Sequence, residues 1–175
     1  MRRLLLLRHA KSSWDRADLD DMSRPLAPRG RKAAPLIGRH ISGRDLVPAL
    51  VLCSTAERAR QTLELVVAEW ERAVGDGAKV EMRASLYLAS VGELLSAIRR
   101  LDDDIESVMM IGHNPGMAIL ASQLAATGDP EALKTMAAKF PTAALAVLDF
   151  EVSSWQAVGP GTGGLQSFVR PKDLT

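Results

Sequence analysis

Two stretches of this chain run from apolar residues straight into a histidine: "LLLLRHA", which carries Arg8 and His9, and "VMMIGHNPG", which carries His113. The remaining histidine, His40, falls near the end of a predicted helix and reads as an ordinary exposed or satisfied residue. A third apolar run, "LVLC", is followed by "STAERARQT", in which Arg58 stands close behind the run. If these runs are strands of one sheet, two arginines and two histidines meet at its edge with no acid inside the three motifs. Such a group suits a phosphoryl anion. Arginine's planar fork matches phosphate oxygens in pairs, and helix N-termini near the strand ends add N–H donors.

A neutral imidazole at a strand end can attack phosphorus and divide a difficult hydrolysis into two easier steps through a covalent phosphohistidine. His9 fits that role, with Arg8, Arg58 and His113 holding the phosphoryl oxygens in line with the leaving group. No metal and no cofactor are expected. Nearby arginines repel a cation, and no carboxylate or cysteine joins His9 and His113 at ligand spacing. A serine hydrolase is disfavoured because no GxSxG elbow occurs. The glycine-rich "GPGTGGLQ" lacks the following helix of a phosphate cradle and reads as a loop before a last apolar piece, "LQSFVRP".

Positioning these groups requires α/β layers, and the pattern supplies them. Leu4–Leu7, Leu50–Cys53, Val108–Ile111 and Ala144–Phe150 read as strands, the first and third without polar alternation, as strands covered on both faces are. Leu63, Val66, Val67 and Trp70 recur at helical spacing, as do Val91, Leu94, Leu95, Ile98 and Leu101. A helix is expected after Gly30, kinked or delayed by Pro35, and another from Pro130, stopped before Pro141. Ser54 and Glu57 have capping-box spacing, which puts Arg58 in the first turn of its helix.

The chain has 175 residues and a net charge of +1, enough for one packed domain over residues 1–175 and too balanced for a general attraction to nucleic acid or an anionic membrane. The single cysteine, Cys53, lies in an apolar run and reads as a buried strand residue of a reducing compartment. "MRRLLLL" starts like a signal peptide, but its apolar run is too short and no cleavage site follows, so the expectation is cytoplasmic. Asp18, Asp20 and Asp21 read as a solvated acidic loop, contact with a basic partner being the other reading, and Lys139 has no assigned role.

Together these motifs resemble the histidine phosphatase, or phosphoglycerate mutase-like, superfamily. "LLLLRHA" is similar to its strand-RHG signature with Ala10 in place of the glycine, and "CSTAERARQT" and "IGHNPG" resemble its second arginine and second histidine motifs. "RPLAPRGRKAA" is similar to the segment leading into the family's first helix. The resemblance implies a three-layer α/β/α sandwich with a mostly parallel central sheet, His9 as nucleophile, and Arg8, Arg58 and His113 on phosphate. It also implies that Ser13 stands where many members place a phosphate-reaching hydroxyl, a plain loop residue being the other reading. Asp15 replaces a frequent asparagine.

The glutamate acid of many members has no counterpart in "RASLYLASVGELL", where Glu93 reads as the polar face of a helix. With the short chain and "RHAKSSWD", this resembles the compact SixA-type phosphohistidine phosphatases. A phosphohistidine on a signalling protein is then the expected substrate and partner, with the chain a monomer. A small-molecule phosphomonoesterase and a phosphate-docking module without turnover are the alternatives.

Overall fold

A computed structural model describes residues 1–74 and 77–175. Its strands are β1 (Arg2–Arg8), β2 (Leu50–Ser54), β3 (Lys79–Arg83), β4 (Ser107–Gly112), β5 (Ala125–Gly128), β6 (Leu145–Phe150) and β7 (Gly163–Val169). Its helices are α1 (Pro28–Gly43), α2 (Glu57–Val74), α3 (Val91–Arg99), α4 (Gly116–Leu124) and α5 (Pro130–Ala138). The strands form one sheet in the order β3-β2-β4-β1-β6-β7-β5. Only β6 runs against its neighbours among the described residues, so the sheet is mostly parallel.

The unbroken leucine run of β1 makes sense in this frame. Leu5 and Leu7 pack with Val51, Met109 and Ile111 against α1 and α2, through Ile37, Ile41, Val66 and Trp70. Leu4 and Leu6 face the other way, onto Leu94, Ile98, Leu120 and Leu124 of α3 and α4. All four leucines are fully buried, each stabilising the fold by about 1.5–3 kcal/mol. Two helical layers thus enclose the sheet, as the α/β/α expectation requires. No described helix is long and apolar enough to cross a membrane.

Several elements depart from expectation. Helix α1 starts at Pro28, before Gly30, and continues through Pro35. Proline suits the first turn, where its missing N–H has no helical partner to lose, and the interior one is tolerated because Ala34, Ile37, Gly38 and Ile41 are buried. At Gly38 a Cβ would come within 2.7 Å of the Val66 carbonyl, so glycine lets α1 and α2 approach. Gly30 is tighter: a Cβ there would stand 2.2 Å from the Lys11 carbonyl oxygen.

Strand β7 begins inside the glycine-rich segment, at Gly163, leaving only its first part as loop. Leu101 lies beyond the end of α3. Strand β3 lies at the sheet edge and carries only Val80 and Met82, both exposed, between charged residues, too short an alternation to stand out. Helix α4 buries Met117, Leu120, Ala121 and Leu124 at helical spacing, but Ala118 and exposed Ile119 are apolar too, which leaves only Ser122 and Gln123 to mark its outer face. Glu93 is indeed exposed, and it closes a capping box with Ser90 at the start of α3.

Candidate active site

Parallel pairing brings the motifs together. β1 and β4 pair in register from Arg3 with Ser107 to Arg8 with Gly112, and β2 pairs with β4 up to Cys53 with Ile111. His9 and His113 therefore follow adjacent strand ends, and the His9 amide donates to the Gly112 carbonyl at 3.1 Å. Ligands in open α/β sheets bind at this carboxyl edge. The two rings stand 5.1 Å apart, centroid to centroid.

His9 is buried and its Nδ1 lies 2.7 Å from the Ala10 carbonyl oxygen, which accepts and so places the proton on Nδ1. Nε2 keeps its lone pair and accepts from Arg58 Nε at 3.3 Å. Burial, with the neighbouring charges of His113, Arg58 and Arg8 adding to it, lowers the His9 pKa to about 3 despite the Ala10 bond. Burial and then Arg58 lower His113 to about 4. Both rings are neutral at pH 7. In His113, Nδ1 accepts from the Arg58 guanidinium at 3.3 Å, leaving Nε2–H to donate to Ser54 Oγ at 2.7 Å.

That contact corrects the expected capping box. Ser54 is the last residue of β2, and its hydroxyl serves His113 and the Ala56 amide rather than Glu57. Glu57 instead accepts from Arg60 and Gln61 on its own helix. Arg58 still falls in the first turn of α2. Thr62, one turn later, accepts from the Ala10 amide at 2.9 Å and donates to the Arg58 carbonyl at 2.7 Å. One hydroxyl thereby joins the segment that carries His9 to the start of α2.

The acidic loop is not merely solvated. Asp21 accepts from Arg58 through its carboxylate at 2.9 Å and its backbone carbonyl at 2.6 Å, and from Arg24 at 3.0 Å. The Tyr87 hydroxyl also donates to it. The Tyr87 bond first, and the arginine bonds after it, hold the Asp21 carboxyl at about 2. Asp18 instead bonds exposed Arg16, and Asp20 accepts from the Ser23 amide. Sequence spacing gave no signal for the Asp21 contacts with Arg58 and Tyr87, which join residues 37 and 66 positions apart. Tyr87 also meets His113 edge-on, with centroids 5.4 Å apart.

A cleft of about 300 Å³ contains Arg8, His9, Arg58 and His113, together with Ser12, Asp21, Arg24 and Asn114. Arg8 donates to the Phe140 carbonyl at 3.0 Å, but its buried Nε has no partner among the described residues. Burial and the Arg58 charge lower its pKa. Ser13 does not line this cleft: its hydroxyl accepts from the Asp15 amide, while the preceding Ser12 faces the cavity and accepts from Arg24. Trp14 and Leu88, both exposed, form part of the rim, with Arg24 stacked 3.2 Å from the Trp14 ring centre. His40 lies on α1 outside the cleft. No group of three or more metal-ligating side chains occurs among the described residues.

The sequence pattern of the histidine phosphatase superfamily (branch 1) matches residues 4–87. An uncharacterized protein of Mycobacterium tuberculosis is 36% identical over 170 residues, covering 95% of this chain and all of that one. Among solved structures, a candidate phosphohistidine phosphatase SixA from Agrobacterium tumefaciens is 32% identical, with a TM-score of 0.77 over 97% of this chain and 98% of its own. Another from Nakamurella multipartitia is 29% identical, with a TM-score of 0.81 over 97% and 96%.

Proposed function

The chain belongs to the histidine phosphatase superfamily, to its SixA type, and from that premise we propose that it removes phosphate from phosphohistidine on a signalling protein, through a covalent phosphohistidine at His9. The observation that carries the substrate choice is Asp21. It is the only carboxylate lining the cleft among the described residues, and its pKa of about 2 keeps it ionised, so it is no proton donor. An alkoxide leaving group needs an acid in the cavity. A substrate imidazole departs as a neutral ring once its other nitrogen carries a proton from solvent.

His9 attacks through Nε2, and the bond that forms to phosphorus replaces the one that breaks to the leaving nitrogen. The Ala10 carbonyl holds Nδ1–H and stabilises the charge the ring gains as it is phosphorylated. Arg58 must first release His9 Nε2, which its bond of 3.3 Å allows at low cost, and turn its N–H groups to the phosphoryl oxygens. The unpartnered Nε of Arg8 supplies another donor, and His113 holds a further oxygen in the tautomer that carries its proton on Nδ1, with the Ser54 hydroxyl then donating to Nε2. Water then attacks phosphorus on phospho-His9, and phosphate leaves as His9 recovers its lone pair.

The test is to mix the protein with a labelled phosphohistidine protein and with a panel of small phosphate esters, quench in alkali, and locate the label. Label on His9 with fast release from the protein donor is the expected result. Label mainly from a small ester identifies a metabolite phosphatase instead. No label from any donor identifies a docking module.

A further inference from the structure

A second cleft, of about 390 Å³, adjoins the first, and Lys11 and Thr142 line both. Its other cationic residues are Arg29, Lys139, Arg170 and Lys172, drawn from segments far apart in the chain, with no acid in the lining. Arg170 is held by Asp173 through paired bonds of 2.9 Å. None of Lys11, Arg29, Lys139 and Lys172 has a carboxylate within ion-pair distance among the described residues. In a chain whose net charge is only +1, this concentration is local.

The start of α1 adds to it. Its first turn contains Arg29 and no acid, and its N-cap, Ala27, has no side chain to accept from the open N–H groups. Cations are unfavourable at a helix N-terminus, so the arrangement costs stability unless an anion approaches. The lining contains no aromatic ring on which a nucleobase would stack, and its apolar part is Ala33, Pro141 and Pro171. We propose that this cleft docks acidic side chains of the protein substrate, those flanking the phosphorylated residue, while the phosphoryl group sits at His9.

The inference rests on the phosphohistidine reading and names what that substrate must carry beside its phosphate. A polypeptide whose phosphorylated residue enters the first cleft passes Lys11 and Thr142 and brings its neighbouring carboxylates to Lys139 and Lys172. The contribution is to encounter and KM rather than to the chemical step, because none of these groups touches phosphorus.

The test uses a Lys139→Glu/Lys172→Glu double variant. Against a phosphohistidine protein, kcat/KM is expected to fall about tenfold through KM, with kcat unchanged and a flatter salt dependence. Hydrolysis of p-nitrophenyl phosphate is expected to be unchanged. In parallel, a short peptide alternating glutamate and glycine is titrated into both proteins, with binding expected only to the wild type. Equal KM values and equal peptide binding overturn the proposal. Tighter binding of a single-stranded oligonucleotide than of the acidic peptide also overturns it, making nucleic acid the occupant. A wild type that binds the peptide through Lys139 and Lys172 yet spares every phosphohistidine protein refutes the substrate reading and leaves the acidic-peptide site standing. Rapid turnover of the phosphoprotein, equal in the variant, refutes only the docking cleft.

Discussion

Near its start, β1 carries Arg3, directly opposite Asp149 of β6 and joined to it by two bonds of 2.7 Å. At its end the same strand carries Arg8, which has one carbonyl partner, a buried Nε without any, and a second arginine close enough to lower its pKa. The Asp149 bond raises the pKa of Arg3. One cation is neutralised within the fold, and the other is left in deficit. The difference teaches where to look for a ligand: the fold tolerates an unsatisfied charge at the edge that an anion will occupy, and completes the pair where none is to come.

Substitution tests this contrast most strongly at the open end. His9→Ala is expected to reduce turnover on the order of 10⁴-fold or more while retaining some phosphate binding, measured by single-turnover kinetics and phosphate titration. Near-normal turnover would remove His9 as nucleophile. Arg58→Lys is expected to cost about 2.7–4 kcal/mol of transition-state stabilisation, because a point charge cannot reproduce the fork that reaches both histidines. The measurement is kcat/KM with a phosphohistidine protein.

At the closed end, Arg3→Met is expected to cost about 1.5–3 kcal/mol of folding stability, read by urea unfolding, with kcat/KM per folded molecule unchanged. An activity loss there would break the contrast. The subtlest difference is in pH. His9 and His113 titrate near 3 and 4 in the fold against 6.5 when unmodified, so the unfolded chain binds more protons as pH falls. Their contribution to stability is fully present above about pH 6.5 and is lost progressively toward about pH 3. His9→Gln is expected to flatten that slope, while Arg3→Met leaves it alone.

The same contrast explains what was legible in the sequence. β1, β2 and β4 announced themselves because two-faced burial leaves no room for polar alternation, and strand ends in a parallel sheet align. That placed Arg8, His9, Arg58 and His113 around one cleft. Ser54 was misread because its spacing to Glu57 is a local pattern, whereas its hydroxyl is taken by His113 from a neighbouring strand end. Asp21 meets Arg58 and Tyr87 from segments 37 and 66 positions away, where local periodicity has nothing to report. Ser12 and Ser13 are adjacent hydroxyls on an extended segment, and only folding decides which faces inward. Helix α4 was concealed by apolar residues outside its buried face, Ala118 and Ile119, which blur the contrast that shows a helical period.

Gly30 gives the molecule a point of brittleness one contact away from the segment that carries His9. The Lys11 carbonyl fills the space any side chain would need, and Lys11 also accepts from the Ala27 amide at 2.8 Å and borders both clefts. The joint between residues 9–11 and α1 therefore has no slack. Neutral drift is closed at this position, since even a methyl group must push the Lys11 backbone aside. An alanine here must displace Lys11, and with it the border that the two clefts share.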